Sequence, residues 1–398
     1  MLHVVGAGLA GLAASVAATQ AGVPVTLHEA TDHAGGRCRS FHDQALNTTI
    51  DNGTHLVMDV NRTAIAFART VGGIQNMHQG KPHFPFLNVS NSDRWTLTPF
   101  ALVRRPLDLL RAIGAFGLDD TITVSQSLSR TKTFHTIWDP LNVAALNTAS
   151  EEASAQLFAT LLRMALKQGV SALNPWIFPD GLSAAFVDPA LQTLKERGVD
   201  VRFGHRLRAV ESAALIFDDH RVELGRDDRV ILALPPWAAK EMFPHLPALQ
   251  TRAIVNGHFH LDDPVMLPGG MPWLGITGGL GQWVSARGRM LSVTVSAADA
   301  VAQNDAESIA TTLWTELAPY LGLPPDTLPP YRIIKEKRAT LAHTPAQVAL
   351  RPDPFCPFPT MILAGDWLAS PWPCTIEAAI SSGLEAAKRI THIETLKF

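Results

Sequence analysis

Apolar residues follow a strand–helix–strand pattern at the start of the chain. Residues 2–6, "LHVVG", form a short apolar run that is typical of a strand. Residues 9–21 carry an alanine on nearly every turn and predict a helix, and residues 24–29 predict a second strand. This order begins a βαβ unit of the kind from which doubly wound domains are built.

Both kinds of pattern return later in the chain. Residues 150–169 predict a helix, with Ser150 and Glu151 as candidate residues for capping its start. The apolar stripe on one face of this helix consists of Ala155, Leu157, Phe158, Leu161, Leu162 and Ala165. Further strands are predicted at 198–211, 229–236, 290–296 and 360–367, and further helices at 305–322 and 375–391.

Apolar strands of the kind found in nucleotide-binding sheets therefore occur at the start, in the middle and at the end of the chain. We predict an α/β fold in which a discontinuous Rossmann-like domain is interrupted by an inserted α+β substrate domain. The Rossmann-like domain is expected to comprise residues 1–60, 176–240 and 355–398. The substrate-binding domain, which is partly helical, is expected to comprise residues 61–175 and 241–354.

Composition narrows the class of protein. Of the 398 residues, 46% are hydrophobic and 17% are charged, which is enough apolar material for a sizeable core. The net charge of -3 provides no basic surface, so we predict no nucleic acid partner. The three cysteines show no CxxC spacing and indicate neither a disulfide framework nor a metal site, which suits a cytoplasmic protein.

No targeting or membrane-spanning segment is predicted. The first strand begins at residue 2, which leaves no room for the basic region of a signal peptide. One long uncharged run, residues 264–286, is interrupted by glycines and prolines, so it is interpreted as turns and short strands.

The loop between the first strand and helix carries a dinucleotide-binding motif. Gly6, Gly8 and Gly11 form GxGxxG, which permits a tight turn, close approach of a pyrophosphate and close helix–strand packing. The helix start offers amide groups to phosphates. Glu29 ends the second strand 18 residues after Gly11, where a carboxylate binds ribose hydroxyls. A glycine-rich turn that binds nothing does not explain this acid.

Motifs at both ends of the chain favour FAD over NAD. "GGRCRS" brings Gly36 close to a ligand and places Arg37 near a phosphate. "DNGTH", residues 51–55, is a polar turn, and Asp366 follows Gly365 at the tip of a late strand. The last helix starts near Thr375, where its dipole would stabilise negative charge on a bound ring. An extended FAD requires contacts this widely spread, whereas NAD does not.

These motifs resemble those of a known superfamily. "EA…GGR" after GxGxxG, together with "AGD…TIEAAISSG", looks like the FAD-dependent amine oxidases and phytoene desaturases. Within that superfamily, "GGRCRSF", "IDNGTHL", "WDPLNVAALNT" and "EKRAT" resemble the hydroxysqualene dehydroxylase family. The resemblance implies FAD contacts at Gly6, Gly8, Leu9, Ala10, Gly11, Glu29, Ala30, Gly36, Arg37, Gly53, Thr54, Leu207, Gly365, Asp366, Thr375 and Ile376.

Two positions depart from the superfamily pattern. Thr31 stands where many members carry an arginine after "EA". Thr375 stands where amine oxidases place an aromatic wall of the cage that holds an amine. The second departure disfavours an amine oxidase.

The family resemblance implies a reaction on hydroxysqualene. A C–OH group is replaced by C–H, water leaves after protonation, and reduced flavin delivers a hydride in a dry pocket, which gives squalene in hopanoid biosynthesis. His55 is the candidate catalytic acid. The alternative for each of the histidines is a structural role.

Other groups near the motifs keep two interpretations each. Asp51 is either a catalytic acid or a structural turn residue, and Lys337 with Arg338 either face the flavin or are exposed. Cys374 precedes the last helix, where a thiol pKa can be lowered, or it simply packs. The two tryptophans of "WLASPWPC", Trp367 and Trp372, either wall the substrate tunnel or fill core.

Residues 99–117 combine apolar and basic side chains. The apolar residues are Leu102, Val103, Leu107, Leu109, Leu110, Ile113 and Phe116, and the basic ones are Arg104, Arg105 and Arg111. Such a segment is typical of peripheral contact with a bilayer, here the inner face of the membrane. The alternatives are a lid helix or plain core. The expected partners are thus a hydrophobic polyprenoid, a membrane surface and upstream enzymes of the squalene pathway.

Two rival functions remain open from the sequence. A carotenoid-type desaturase or an amine oxidase would use the same scaffold with oxidised FAD. A non-catalytic lipid-binding partner subunit would have kept the FAD fold without the reaction. The complete set of Gly loop, Glu29, Arg37 and Asp366 disfavours the second rival.

Overall fold

The computed structural model describes residues 1–115, 117–393 and 398, apart from the side chain of Leu102. The strands of this part of the chain are β1 Leu2–Val5, β2 Val25–His28, β3 Ser40–Asp43, β4 Thr48–Asp51, β5 Val57–Met58, β6 His78–Gln79, β7 Phe84–Asn88, β8 Arg94–Leu97, β9 Pro175–Ile177, β10 Asp200–Arg202, β11 Leu207–Glu211, β12 Ala214–Phe217, β13 Arg221–Glu223, β14 Arg229–Leu232, β15 Thr251–His260, β16 Trp273–Thr277, β17 Trp283–Arg287, β18 Met290–Val295, β19 Tyr331–Leu341 and β20 Met361–Leu363.

Helices lie between these strands and at the chain end. They are α1 Leu9–Gln20, α2 Arg62–Thr70, α3 Pro99–Val103, α4 Pro106–Ala112, α5 Val124–Leu128, α6 Asp139–Leu146, α7 Ala155–Gln168, α8 Asp188–Glu196, α9 Pro236–Met242, α10 Ala306–Leu317, α11 Pro345–Ala349 and α12 Ile376–Thr391. None of the helices in the described residues is both long enough and apolar enough to cross a membrane.

A parallel sheet is built from strands far apart in the sequence. Its order is β10-β2-β1-β14-β20, and each neighbouring pair is parallel. All four residues of β1 and of β2 are buried, as expected for strands covered on both faces. The predicted α/β fold with a Rossmann-like sheet is confirmed.

Helix α1 is buried on nearly all sides because it lies close to both the sheet and α12. A Cβ on Gly383 of α12 would lie 2.0 Å from the carbonyl oxygen of Ala10 in α1. The small side chains of α1 therefore serve close packing. The positions of the Rossmann-type phosphate loop and of the last helix are fixed together by this contact.

A second, mixed sheet has the order β19-β15-β18-β17-β16-β7-β8. Alternation along β7 directs Phe84 and Phe86 into one apolar cluster and Leu87 into another. The Leu87 cluster includes α10, and the Phe86 cluster includes residues of α5, α6 and α7. This sheet is the antiparallel-rich α+β part that the sequence predicts, although the exact domain boundaries stay a prediction.

The structure corrects the predicted start of one helix. The helix predicted at 150–169 begins at Ala155, and Ser154 is its cap, because the Ser154 hydroxyl accepts a hydrogen bond from the Leu157 amide at 3.2 Å. Ser150 instead donates to Asp139 Oδ1 at 2.6 Å. The uncharged run 264–286 contains β16 and most of β17, as the glycines and prolines predict.

Candidate active site

The glycine-rich loop joins β1 to α1 at the carboxyl edge of the parallel sheet. A Cβ on Gly11 would lie 1.8 Å from the Gly6 carbonyl oxygen, whereas a Cβ on Gly8 would meet no protein atom within 4 Å. Gly8 is the N-cap residue of α1 and has no side chain to accept hydrogen bonds from the first amides of the helix. The first turn also contains no acidic residue that would compete with an anion. The first amides of α1, at Leu9 and Ala10, have no intrahelical acceptor. Open space before free amides fits an anionic group.

Glu29 is held beside this loop. Its Oε2 accepts a hydrogen bond from the Ala7 amide at 2.7 Å. Its Oε1 accepts from the amide and the hydroxyl of Thr31, both at 2.9 Å. The threonine that departs from the superfamily pattern therefore orients the carboxylate, and Ala30 between the two residues is half-buried.

The "GGR" segment pairs with the glycine loop. Gly35 donates its amide proton to the Ala7 carbonyl at 2.8 Å, and Gly8 and Gly35 form an isolated parallel bridge. A Cβ on Gly36 would lie only 3.4 Å from the Gly8 Cα. Two glycine-rich segments thus form one surface without side chains.

Arg37 connects this surface to the other end of the chain. Its guanidinium donates to Asp366 Oδ1 at 2.6 Å and to the Ala339 carbonyl at 2.6 Å. The Asp366 carboxylate is buried, while 39% of the Arg37 side chain is exposed. Gly365 has φ +155°, and a Cβ there would lie 2.5 Å from Trp367 Nε1, so this turn requires glycine. The motifs predicted from opposite chain ends meet here.

The start of α12 lies at the end of the loop that follows Asp366. The Thr375 hydroxyl accepts from the Ala378 amide at 3.2 Å and caps the helix. Ile376, the first helical residue, is buried. The predicted positions Thr375 and Ile376 are therefore fixed by the helix cap and by packing.

His55 is the last residue of the polar turn 51–55, and its side chain is exposed. The Thr54 amide donates to Asn256 Oδ1 at 3.4 Å, and His55 Nε2 lies 3.6 Å from where a Cβ on Gly53 would be. Desolvation by the surrounding protein lowers the pKa of the His55 imidazole, and the Asp51 carboxylate partly opposes this shift.

Leu207 lies on a segment that is tied to the Glu29 region. Gly204 donates its amide proton to the Thr31 carbonyl at 2.9 Å, and His205 donates to the Glu29 carbonyl at 2.8 Å. Leu207 is buried at the start of β11, two residues beyond these hydrogen bonds. Leu207, which the family resemblance implies as an FAD contact next to the adenine, thus adjoins the predicted ribose contact Glu29.

Asp51 has structural partners for both carboxylate oxygens. Its Oδ1 accepts from the Ser40 hydroxyl at 2.5 Å and from the Leu182 amide at 2.9 Å. Its Oδ2 lies 3.3 Å from the Arg287 guanidinium. The structure favours the structural interpretation of Asp51 over the catalytic one.

Lys337 and Arg338 are exposed on β19. The Arg338 guanidinium lies over the Trp237 ring, 4.6 Å from its centroid. A surface cation–π contact explains this arginine without a flavin.

Burial distinguishes between the alternative roles of Cys374, Trp367 and Trp372 near the last helix. Burial raises the pKa of the Cys374 thiol to about 12, so the thiol stays protonated and the packing interpretation is favoured. Trp367 is buried and donates its indole proton to the Leu234 carbonyl at 2.9 Å, which makes it a core residue. Trp372 is partly exposed and keeps its place as a candidate wall of a substrate site.

Comparison with known proteins decides the family. The family described as flavin containing amine oxidoreductase matches residues 9–391. The chain is 39% identical to hydroxysqualene dehydroxylase of Sinorhizobium fredii and 39% identical to that of Rhodopseudomonas palustris, over 97% of each chain in both cases. The chain belongs to the hydroxysqualene dehydroxylase family. The same name is carried by a Zymomonas mobilis protein that is 33% identical over 97% of both chains.

Solved structures support the fold of this family member. A putrescine oxidase is similar with a TM-score of 0.74 and 19% identity, covering 98% of both chains. Cyclohexylamine oxidase from Brevibacterium oxydans is similar with a TM-score of 0.76 and 16% identity, again covering 98% of both chains. At these identities the likeness concerns the fold alone. The family match and the curated relatives make the chain a flavin-dependent oxidoreductase, and the solved structures show that it has the amine oxidase fold.

The residues of this dehydroxylase family member fit a flavin dinucleotide. Gly8 and Gly36 have no side chains, so the space before the start of α1 stays open. A side chain at either position would occupy that space. Arg37 supplies an accessible cation next to that surface, and Glu29 supplies a fixed carboxylate at the adjacent strand end. This donor set is complementary to a pyrophosphate and a ribose.

Glu377 is a site residue that sequence reasoning missed. Its buried carboxylate accepts from the amides of Thr63 and Ala64 at 3.1 Å and 2.8 Å, so the first turn of α12 caps the start of α2. Burial raises the pKa of Glu377, and these hydrogen bonds oppose the shift. No local signal marks this role, because the partners are 313 and 314 residues away.

One histidine group lies outside the predicted site. In the described part of the chain, ligand atoms of His205, Asp219 and His220 lie within 4.8 Å of one another. His220 Nδ1 and Asp219 Oδ1 are 2.7 Å apart, so an ordinary hydrogen bond explains the contact between these two residues. The group carries no metal assignment.

Proposed function

We propose that this chain is an FAD-dependent enzyme that converts hydroxysqualene to squalene. The observation that carries the proposal is identity of 39% to named hydroxysqualene dehydroxylases over nearly the full chain. The open, glycine-lined surface before α1 supports it. In the overall reaction the C–OH bond breaks, a proton and a hydride are taken up, and a C–H bond and water form. Bound FAD, in its reduced form, supplies the hydride equivalent.

The chain's own residues bind and orient the cofactor in this proposal. The amides at the start of α1 and the Arg37 guanidinium bind the pyrophosphate, and Glu29 binds the adenosine ribose. Asp366 is placed to bind the polyol chain next to Arg37. The α12 start, capped by Thr375, directs the positive end of its helix dipole at the ring.

His55 is proposed to protonate the departing hydroxyl. It is exposed next to Gly53 and Thr54, two positions that the family resemblance assigns to the flavin, and the neighbouring Leu56 exposes 39% of its side chain. An acid next to the reacting carbon protonates the departing hydroxyl. Because burial lowers the pKa of His55, the protonated fraction grows as the pH falls below neutrality.

The first experiment tests the cofactor and the direction of the reaction together. The purified protein is reduced without oxygen, hydroxysqualene is added, and squalene is assayed while the flavin absorbance is recorded. Return of the oxidised absorbance in step with squalene supports the proposal. Squalene-free mixtures with a persistently reduced flavin would overturn it and favour a desaturase or amine oxidase. Purification without any flavin would favour the lipid-binding subunit.

We also propose that the α3–α4 segment contacts an anionic bilayer, from which an apolar substrate is drawn. Large apolar side chains are exposed there: Phe100 at 64%, Val103 at 57%, Leu107 at 69% and Leu110 at 38%. Arg104, Arg105 and Arg111 are exposed between them. Phe116 and the Leu102 side chain, which belong to the same predicted patch, lie outside the described residues.

The segment has one packed edge and one exposed edge. Ala112 is buried and Leu109 packs against the aromatic cluster around Phe86, so α4 is anchored on the protein. Asp108, the acid in α4, accepts a hydrogen bond from the Thr133 hydroxyl at 2.8 Å and is occupied by the protein. The exposed edge is therefore apolar and basic, which complements a surface of anionic lipid.

Vesicle sedimentation tests the bilayer contact. Wild-type protein is expected to sediment with phosphatidylcholine vesicles containing phosphatidylglycerol, and less with phosphatidylcholine alone. Leu107→Glu should weaken this binding about ten-fold or more, because a Leu side chain contributes roughly 1.5–3 kcal/mol on burial. Met266→Glu is the matched control, since Met266 is 78% exposed in another region. Equal binding of the two variants would exclude α3–α4 as the docking surface.

A further inference from the structure

The loop between β20 and α12, residues 364–375, contains three of the predicted cofactor positions, Gly365, Asp366 and Thr375. An exposed connection of this length would be expected to be mobile. The structure instead surrounds it with hydrogen bonds from outside the loop. The origin of those hydrogen bonds identifies a residue that no sequence motif marks.

Arg351 forms most of these hydrogen bonds. Its Nε donates to the Trp367 carbonyl at 3.4 Å, and one terminal nitrogen donates to the carbonyls of Ser370 and Trp372 at 3.2 Å and 2.7 Å. The other terminal nitrogen donates to the Asp366 carbonyl at 2.8 Å and to the Ser370 hydroxyl at 3.1 Å. A single guanidinium thus contacts four residues of the loop.

The charge of Arg351 is buried without an ion-pair partner. Its side chain belongs to the buried residues, and in the described part of the chain no carboxylate lies within ion-pair distance of it. Burying a cation is costly unless hydrogen bonds compensate it. Backbone carbonyls of the loop provide this compensation, so the loop conformation and the position of the guanidinium depend on each other.

We infer that Arg351 is a positioning residue that shapes the β20–α12 loop for the cofactor. It fixes the Asp366 backbone, and the Asp366 side chain in turn holds Arg37 at 2.6 Å. His343 holds the other end of the loop, because its Nε2 accepts from the Cys374 amide at 3.0 Å. A lysine could keep the charge of Arg351 but not its five directed hydrogen bonds. This inference rests on the proposed FAD site.

The test compares Arg351→Met and Arg351→Lys with wild type. Arg351→Met is expected to weaken FAD binding by the apoprotein at least ten-fold, to change the visible circular dichroism of the bound flavin and to lower its reduction potential. Arg351→Lys should restore the potential more than the affinity, because it restores charge without the loop geometry.

Leu313→Ala is the control for general loss of stability. Leu313 is buried in the cluster around α10, and its truncation lowers stability without touching the β20–α12 loop. When Leu313→Ala and Arg351→Met lose the same amount in Tm, the FAD affinity of Leu313→Ala should stay within two-fold of wild type. Its flavin reduction potential should stay within a few millivolts of wild type. If Arg351→Met behaves like Leu313→Ala, Arg351 is merely structural.

The test still decides if a variant does not fold or if the wild-type protein binds no FAD. If Arg351→Met does not fold, Arg351→Lys alone carries the test, because it keeps the buried charge without the five directed hydrogen bonds. A two-fold or greater loss of FAD affinity in that variant supports the inference, and unchanged binding and circular dichroism overturn it. If wild-type protein itself binds no FAD, the proposed function fails first, which keeps the two failures distinguishable.

Discussion

Two glycines of the same motif are expected to respond oppositely to one added methyl group. Gly11 is imposed by packing, because a Cβ there would lie 1.8 Å from the Gly6 carbonyl oxygen. Packing does not explain Gly8, because a Cβ there would meet nothing within 4 Å, and we attribute this glycine to the proposed cofactor. Gly8 also has φ -71° and ψ 177°, which alanine adopts without strain.

The magnitudes follow from these distances. A carbon and an oxygen in van der Waals contact are separated by roughly 3.3 Å, so Gly11→Ala forces the β1–α1 turn to move by about 1.5 Å. Overpacking of this kind costs about 1–3 kcal/mol or more. Gly8→Ala should leave the free energy of unfolding of the apoprotein within about 0.5 kcal/mol of wild type. It should nevertheless weaken FAD binding about 10- to 100-fold, since close amide–phosphate hydrogen bonds contribute roughly 1.5–3 kcal/mol.

The assay separates folding from binding. Urea unfolding of the apoprotein gives stability, and titration with FAD, followed by quenching of flavin fluorescence, gives affinity. Gly22→Ala is the control for an exposed glycine in the same half of the domain, although its φ of +81° predicts a modest loss of stability alone. FAD binding by Gly8→Ala equal to that of wild type, or an apoprotein as unstable as Gly11→Ala, would contradict the assignment of Gly8 to the cofactor.

Three further predictions concern titratable groups. Burial lowers the pKa of His343 to about 4, whereas the same side chain in the unfolded chain takes up a proton near pH 6.5. The free energy of unfolding should therefore fall by up to about 3 kcal/mol as the pH drops from 6.5 to 4. His343→Gln should flatten this pH dependence in urea titrations. His55→Gln should lower squalene formation at least ten-fold and abolish the rise in rate toward lower pH, and an unchanged pH profile would exclude His55 as the acid. Cys374 should resist iodoacetamide at pH 7.5 in the native protein, because burial raises the pKa of its thiol to about 12, and rapid labelling detected by mass spectrometry would contradict its packed position.

Local rules were sufficient where one short segment carries the whole signal. The β1–α1–β2 unit, the glycine loop and Glu29 lie within thirty residues, so spacing alone predicts both their structure and their mutual contacts. The family resemblance assigned Arg37 and Asp366 to the same cofactor, but it did not predict the ion pair between them. The family and the reaction class followed from those same motifs.

Contacts between residues far apart in the chain could not be predicted from the sequence. Ser154 and Ser150 are equally good capping residues by type, and only the contacts of Ser150 with Asp139 and Asn142 decide that Ser154 caps α7. Glu377 looks like an ordinary first-turn acid of α12, yet its partners are the amides of α2. Arg351 resembles a surface arginine until the loop carbonyls around it are known.

The proposed cofactor site joins segments from the two ends of the chain. Residues 6–11 and 35–37 are proposed to form the pyrophosphate surface, and within the described residues Arg37 forms its ion pair with Asp366. Binding that bridges these segments stabilises the native state by an amount that grows with the logarithm of free FAD concentration. Variants at Gly8 should lose this added stability without losing the fold, whereas variants at Gly383, where α12 meets the Ala10 carbonyl, should lose both together. The dependence of Tm on FAD concentration therefore distinguishes residues that bind the cofactor from residues that hold the binding segments together.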